Sequence, residues 1–454
     1  MDKVTKNKPK KTPGRLSLAV VNPDAAGIDI SATMHAVVVP EGRDKEFRRE
    51  FGAFTEDLQE IARWLTHCRI TTVAMESTGV YWKQLYLVLV EHGFTVSLVN
   101  ARHVKNVTGR KNDMDDAQWI QKLHSCGLLT SSFLPDEHTE KLRTVVRHRR
   151  NLLQDSSRYV LRMQKALEMM NIKIHSVIND ITGKTGTAII EAIIRGERKG
   201  EGFLKHVDPR IRADKATIVK SLTGNWRDEH LFCLEENYLQ YKSVQQRIAS
   251  CDSKIEEYLQ YQVAQANEGV IEAPAVQKTR SKKQKTKNQP VFNVTSYLHK
   301  IHGVDVTQIF GISEGSALEI LAETGTDLSK WENAKKFVGW LNLCPNNKIS
   351  GGKPISSRVM KKKTSTAAQA FRAAANSVQR SDNWLGDYFR RMKSKGGNKH
   401  AIVATARKIA IIYYKLVTEK VNFKPVDADE YREKYKAAKI SYLERQLTKL
   451  KATA

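Results

Sequence analysis

The pattern of hydrophobic and polar residues changes its period several times within the first hundred residues. Five short apolar runs predict β-strands at 26–31, 35–40, around Phe51, 71–76 and 95–100. Residues 55–68 and 81–92 carry apolar side chains at helical spacing and predict two helices. The order β-β-β-α-β-α-β predicts a mixed sheet with helices on its faces, because parallel neighbouring strands need crossover connections.

Beyond this region the pattern becomes helical. From about 140 to 265, apolar residues such as Leu153, Val160 and Leu167 recur on one helix face, which predicts a long helical hairpin or coiled-coil arm. The glycines within 181–202 predict a break or a small insertion. A second, mostly helical domain begins near residue 291, and 431–450 reads as a charged helix at its end.

The predicted fold class is therefore α/β plus α, in six segments. The first is a basic arm with little apolar content, and a basic linker without apolar residues between 278 and 287 separates the helical arm from the second domain. We place the segments at 1–16 (disordered basic arm), 17–135 (α/β domain), 136–270 (helical arm), 271–290 (linker), 291–420 (helical domain) and 421–454 (C-terminal helix).

The net charge of +26 over 454 residues predicts a polyanionic partner, because a surface this basic repels itself unless anions neutralise it. Nucleic acid and an anionic membrane surface both qualify. No apolar stretch approaches the roughly 18 residues of a spanning helix, and the N-terminus lacks an apolar signal core, so we expect a cytosolic nucleic-acid-binding protein with no membrane partner. Its five cysteines are scattered singly, which predicts ordinary thiols.

Acidic residues stand at the ends of the predicted elements. Asp29 lies inside the apolar first strand, where a carboxylate needs a cation or hydrogen bonds to offset its burial. Glu76 ends the strand at 71–76, and α/β sheets place their sites at the carboxyl ends of strands. Asp113 and Asp116 are three residues apart and share one face of a helical turn, from which Asp115 points away.

Four such carboxylates suit Mg²⁺ or Mn²⁺, hard cations that take oxygen ligands and retain waters for substrate phosphates. Two ions about 3.5–4 Å apart could clamp a scissile phosphate. A surface or capping role is the alternative for each acid alone, and only the joint pattern favours a metal site.

A second candidate site lies in the C-terminal half, where Ser350 precedes Gly351 and Gly352 in a predicted loop at 346–353. The glycines permit close approach to a phosphate, although such a sequence alone predicts only a turn. Ser356 and Ser357 are candidate phosphate contacts or plain loop residues. Basic residues without an intervening acid surround these serines and could neutralise several phosphates or form a solvated face: Lys348, Lys353, Arg358, Lys361, Lys362 and Lys363.

These motifs resemble the DEDD insertion-sequence transposases, the bridge-RNA-guided recombinases. The resemblance rests on Gly27-Ile28-Asp29, on 75–79 (Met-Glu-Ser-Thr-Gly) and on 111–117 (Lys-Asn-Asp-Met-Asp-Asp-Ala). It extends to 340–345 (Trp-Leu-Asn-Leu-Cys-Pro) and 350–353 (Ser-Gly-Gly-Lys), which are similar to the C-terminal transposase motif of that family. Asn112, where the family more often has a small hydroxyl residue, and the basic insertion at 278–287 are departures that touch neither the acids nor the serine.

The resemblance implies that 17–135 is a RuvC-like domain of RNase H fold and that 291–420 is a transposase domain with a nucleophilic serine. The catalytic set carried over is Asp29, Glu76, Asp113, Asp116 and Ser350. It further implies Mg²⁺ at the four acids, strand exchange between donor and target DNA through a 5′-phosphoserine, and a noncoding bridge RNA. A tetramer of paired dimers is implied, with the acidic site of one subunit assembled against the serine of another, in a bacterial or archaeal cytosol at the nucleoid.

Two other functions fit parts of the pattern. A metal-dependent RuvC-like junction nuclease would cut through activated water and form no covalent link to DNA. A non-catalytic nucleic-acid-binding protein on a decayed transposase scaffold would account for the charge, but the acids at all four positions count against it.

Overall fold

The computed structural model describes residues 19–77, 79–99, 113–267, 288–358 and 365–453. The chain forms two units, Met1–Leu134 and Pro135–Ala454, and each has its own core. The predicted basic arm at 1–16, most of the predicted linker at 271–290, and Lys361, Lys362 and Lys363 lie outside the described residues.

A five-stranded mixed sheet forms the centre of the first unit, in the strand order β3-β2-β1-β4-β5. Strands β1, β2 and β3 pair antiparallel, whereas β1, β4 and β5 run parallel. The five strands are β1 (Ala25–Ile30), β2 (Met34–Val38), β3 (Arg48–Gly52), β4 (Thr72–Glu76) and β5 (Thr95–Val99). The predicted order of strands and helices is confirmed, and so is the mixed sheet.

Helices cover both faces of this sheet. Helices α1 (Thr55–His67) and α2 (Trp82–Glu91) bury their apolar stripes on one face, against a core that includes Ile28 and Met75. The third helix, α3 (Asp113–Ser125), covers the other face, where its Ile120 packs against Ala74. Because side chains alternate along a strand, residues two positions apart share a face, which fixes the neighbours of the candidate acids.

Helix α3 runs antiparallel to β1 and lies against its backbone. The Gln121 Nε2 atom donates a hydrogen bond to the Ala25 carbonyl (3.2 Å), and the Ser125 carbonyl accepts from the backbone N–H groups of Val21 and Asn22, just before the strand. The end of α3 therefore meets the start of β1. It follows that the first turn of α3 lies at the carboxyl end of β1.

Gly27 makes this close approach possible. A Cβ at this position would lie 2.7 Å from the Gln121 Cα and closer still to the Ala117 carbonyl oxygen, so only glycine fits between β1 and α3.

Gly27→Ala should lower the free energy of unfolding of the first unit by about 3 kcal/mol, because helix backbone cannot yield as a flexible side chain can. Calorimetry measures the change. The matched control is Gly339→Ala, where a Cβ meets nothing within 4 Å, and equal melting of the two variants would contradict the packing argument.

Two long helices dominate the second unit. Helices α4 (Glu137–Met169) and α8 (Asp228–Asn267) pack along each other as the predicted hairpin. Arg149 on α4 forms a buried ion pair with Asp252 on α8, beside an apolar cluster that includes Leu152 and Ile248. A buried pair of this kind fixes the register of the two helices, since moving one partner leaves an uncompensated charge.

A small helical module connects the two long helices. It contains α5 (Ile174–Val177), α6 (Lys184–Ile194), a 3-10 helix (Gly200–His206) and α7 (Lys215–Ser221). Phe203, fully buried, is part of a core that the module shares with the adjoining ends of α4 and α8. The predicted break or small insertion at 181–202 falls within this module, and the apolar run Ala-Ile-Ile-Glu-Ala-Ile-Ile there forms part of a short helix.

The rest of the second unit is mostly helical, as predicted. A bidentate ion pair from Arg147 to Glu323 (2.7 and 2.8 Å) ties it to α4. Its helices are α9 (Val294–His302), α10 (Glu314–Thr324), α11 (Ala334–Trp340), α12 (Thr366–Ser377), α13 (Trp384–Glu419) and α14 (Ala428–Thr453). A two-stranded sheet of β6 (Asn346–Ser350) and β7 (Lys353–Arg358) interrupts them. No described helix is long and apolar enough to cross a membrane.

Candidate functional site

Asp29 and Glu76 come together at the carboxyl edge of the sheet. Ile28 on β1 is paired with Met75 on β4 in parallel register, so the next residues along the two strands, Asp29 and Glu76, are neighbours. Both acids are half-buried. Asp29 lies on the same face as Gly27, two residues earlier, and this is the face that α3 covers.

The other two predicted acids lie in the first turn of α3. The helix begins at Asp113, and Asp116 follows one turn later, as the predicted spacing requires. Because α3 runs antiparallel to β1, this first turn lies at the edge where Asp29 and Glu76 end their strands. Asp116 is half-buried, whereas the side chains of Asp113 and Asp115 lie outside the described residues. The fold therefore brings three described acids and the start of α3 to one edge of the sheet.

The donor chemistry of this edge fits a hard divalent cation. Carboxylate oxygens are the ligands that Mg²⁺ and Mn²⁺ prefer, and they occur here without thiols or imidazoles at the predicted positions. Among the side chains that the structure describes, no three of the His, Cys, Asp and Glu type lie close enough to hold a metal ion. Asp29, Glu76 and Asp116 are all described, so these three carboxylates share the edge of the sheet but are not close enough together to hold an ion by themselves, and the side chain of Asp113 lies outside the described residues.

Ser350 ends β6 at the tip of a hairpin, so the predicted loop at 346–353 is wrong. Gly351 (φ 54°) and Gly352 (φ 75°) form a two-residue turn with both residues in the left-handed region, which glycine adopts without strain. Ser350 is paired with Lys353 across this turn and is exposed. The sequence of this hairpin is mostly polar, so it lacks the alternation that identifies a strand, but two adjacent glycines between extended segments were a usable signal.

Several predicted phosphate contacts lie on the same hairpin. Lys348 is paired with Ser356, and Arg358 is paired with Asn346 at the base. The side chains of Lys348, Lys353, Arg358, Ser356 and Ser357 lie outside the described residues, so the hairpin fixes only their positions along the strands. Lys348 lies two residues before Ser350 in the sequence, and Lys353 is paired with Ser350 across the turn. Basic residues therefore occupy positions on both strands beside the serine.

Sequence reasoning named Gly27 and Lys353 but missed the structural role of the first and the pairing of the second with Ser350. Gly27 allows α3 to reach β1, and a glycine inside an otherwise apolar strand is the usual sign of such a close approach. Lys353 stands opposite Ser350 because of the turn geometry, which becomes visible only once the hairpin is recognised.

Two protein-family models match the chain, one over the region of the four acids and one over the region of the Ser350 hairpin. The family model of DEDD transposases of the IS110 type matches residues 26–172, which include all four acids. The model of the transposase IS116/IS110/IS902 family matches residues 305–390, which include Ser350 and its hairpin. No curated protein matches the chain.

The five-stranded mixed sheet is the RNase H-like domain expected of a DEDD transposase, and such domains generally use divalent metal ions. The two matched segments follow each other in the order that the sequence motifs predicted. The chain belongs to the IS110 family of insertion-sequence transposases, enzymes that act on DNA.

Proposed function

We propose that this transposase cuts and rejoins donor and target DNA through a covalent phosphoserine at Ser350, with a divalent metal held by Asp29, Glu76, Asp113 and Asp116. A bridge RNA guides it, and a tetramer is its working assembly. The observation that carries the proposal is the meeting of Asp29, Glu76 and the first turn of α3 at one edge of an RNase H-like sheet.

The four acids form one half of the proposed site, and the backbone of the first unit determines their positions. Two neighbouring parallel strands present Asp29 and Glu76 side by side, and the antiparallel α3 adds Asp113 and Asp116. The positive end of the α3 dipole offsets part of the repulsion among these carboxylates. Bound Mg²⁺ or Mn²⁺ would stabilise charge that develops on the phosphate oxygens.

The β6–β7 hairpin forms the other half of the proposed site and supplies the nucleophile, Ser350. The Ser350 Oγ atom attacks the phosphorus, the bond from phosphorus to the 3′-oxygen breaks, and that oxygen leaves as a 3′-hydroxyl after taking up a proton. The 5′-phosphate stays on the serine. The left-handed Gly351–Gly352 turn has no Cβ atoms at the hairpin tip, which lets a DNA strand approach Ser350 closely.

Lysines and an arginine along the hairpin support this role. Lys353 in register with Ser350, together with Lys348 and Arg358, offsets the negative charge of the five-coordinate phosphorus. Lys361, Lys362 and Lys363, which follow in sequence, extend the same basic run and contact the adjoining phosphates. These contacts supply affinity without reading the DNA sequence.

RNA guidance yields a prediction of its own. Protein purified under moderate salt should carry RNA transcribed from the flank of its own element, because a net charge of +26 exceeds what one DNA duplex contact requires. Sequencing the nucleic acid that remains after a salt wash measures the enrichment. Ribonuclease treatment should stop recombination of element-bearing plasmids, whereas a deoxyribonuclease wash of the protein should not. Random cellular RNA, without enrichment for the flank, would count against guidance.

A further inference from the structure

The start of the C-terminal helix α14 is held firmly on α13 and the turn before it. The Arg432 Nε atom donates to Asp387 Oδ2 (2.8 Å), and its Nη2 atom donates to Asp382 Oδ1 (2.5 Å). The ring of Tyr431 packs against Trp384, with 5.8 Å between centroids. These contacts fix the direction in which the rest of α14 projects.

The later turns of α14 carry an exposed apolar stripe. Ile440, Leu443, Leu447 and Leu450 are 48, 54, 54 and 67% exposed. Their spacing of three, four and three residues is that of the a and d positions of a heptad repeat, which form one seam along a helix. This segment lies outside both matched family regions, which end at residues 172 and 390.

We propose that residues 439–453 of α14 form a short parallel two-stranded coiled coil with a second copy of this chain. A seam of four aliphatic residues does not bind phosphates, which excludes nucleic acid as the occupant of this face. It fits another apolar helix stripe. Ile440 at an a position followed by Leu443 at a d position is the combination that favours two strands.

The flanking charges favour a second copy of α14 and parallel pairing. Lys439 occupies a g position and Glu444 the following e position, and these two positions face each other between the strands of a parallel coiled coil. Each dimer therefore gains two Lys439–Glu444 pairs. In an antiparallel pair, e positions face e positions, so the Glu444 carboxylate would lie near its own copy.

Two heptads form a weak interface, so association depends on protein concentration. Sedimentation of the full-length protein over a concentration range measures it. Leu443→Glu with Leu447→Glu should weaken this association by about a hundredfold or more, because the new carboxylates would be buried unpaired in the seam. Tyr442→Glu with Ala452→Glu adds the same two charges on the opposite side of the helix and should leave association unchanged. Equal effects of the two variants, or no effect of the first, would overturn the proposal.

Exchanging the charges of Lys439 and Glu444 tests whether the partner is a second α14 and whether the two helices run parallel. Lys439→Glu alone and Glu444→Lys alone should each weaken self-association about tenfold, because both pairs in the dimer become repulsive. Mixing the two variants restores both attractive pairs and should recover the affinity of the wild type. A mixture as weak as either variant alone would refute parallel pairing of α14 with α14. The result does not depend on strand exchange, so it stands apart from the proposed reaction.

Discussion

Ser350→Ala is expected to abolish both cleavage and strand exchange, with a loss of at least about a thousandfold. Removing a catalytic nucleophile has effects of this size, since no other group can form the covalent bond. In the proposed mechanism the phosphodiester to serine conserves the energy of the broken DNA bond, so rejoining to a new partner would need no external energy source. Without the Oγ atom, neither half of the reaction can start.

The adduct itself is the direct measurement. An end-labelled DNA strand is incubated with the protein, the reaction is quenched with denaturant, and any adduct is located by peptide mass. Ser356→Ala and Ser357→Ala are the matched controls, because these serines lie on β7 of the same hairpin, and they should weaken activity at most. Wild-type activity in Ser350→Ala, or an adduct at another residue, would leave a water-activating junction nuclease as the better description.

Asp29→Asn and Glu76→Gln should each reduce strand transfer by about a thousandfold while leaving nucleic-acid affinity nearly intact. Both substitutions preserve the shape of the side chain and remove the negative charge that would hold the proposed divalent cation, and such a cation contributes several kcal/mol of transition-state stabilisation. Affinity persists because cationic side chains on other surfaces neutralise the phosphates. A plasmid recombination assay beside gel-shift titrations separates the two effects.

Asp115→Asn is the control for this pair. It makes the same change of charge within the first turn of α3, at the position that helical spacing directs away from Asp113 and Asp116. Strand transfer should stay near the wild-type rate. Normal product from Asp29→Asn or Glu76→Gln would remove the metal site from the mechanism.

Local pattern was enough to predict much of the first unit. Apolar runs and helical spacing placed the strands and helices up to Val99 close to their observed bounds, because each of these elements buries its own stripe in one core. The i, i+3 spacing of Asp113 and Asp116 likewise predicted a helical turn correctly. What local pattern could not predict was the direction of α3 along β1, since that depends on contacts such as Gln121 with Ala25, 96 residues apart in sequence.

The hairpin of Ser350 shows the opposite case. Ile349 and Ile355 are 65 and 70% exposed, so the apolar side chains described on β6 and β7 are not buried, and the sequence of these strands has no periodic signal. Their structure depends on the Gly351–Gly352 turn and on backbone pairing. The helical module at 174–221 was predicted only as a break or small insertion for another reason, because its helices are short and contain or adjoin glycines, and only their joint core makes them stable.

The direction of α3 has a consequence for how this protein would respond to loss of the metal proposed at its acids. Helix dipole and backbone N–H groups at the start of α3 supply partial positive charge at the edge where the acids gather, worth about 0.3–1 kcal/mol for each nearby carboxylate. The core of the first unit is apolar and includes none of these acids. A metal bound to these acids would stabilise the folded state by mass action but is not needed to form the apolar core, so we expect a chelator to inhibit this transposase reversibly and to lower its melting temperature without unfolding it.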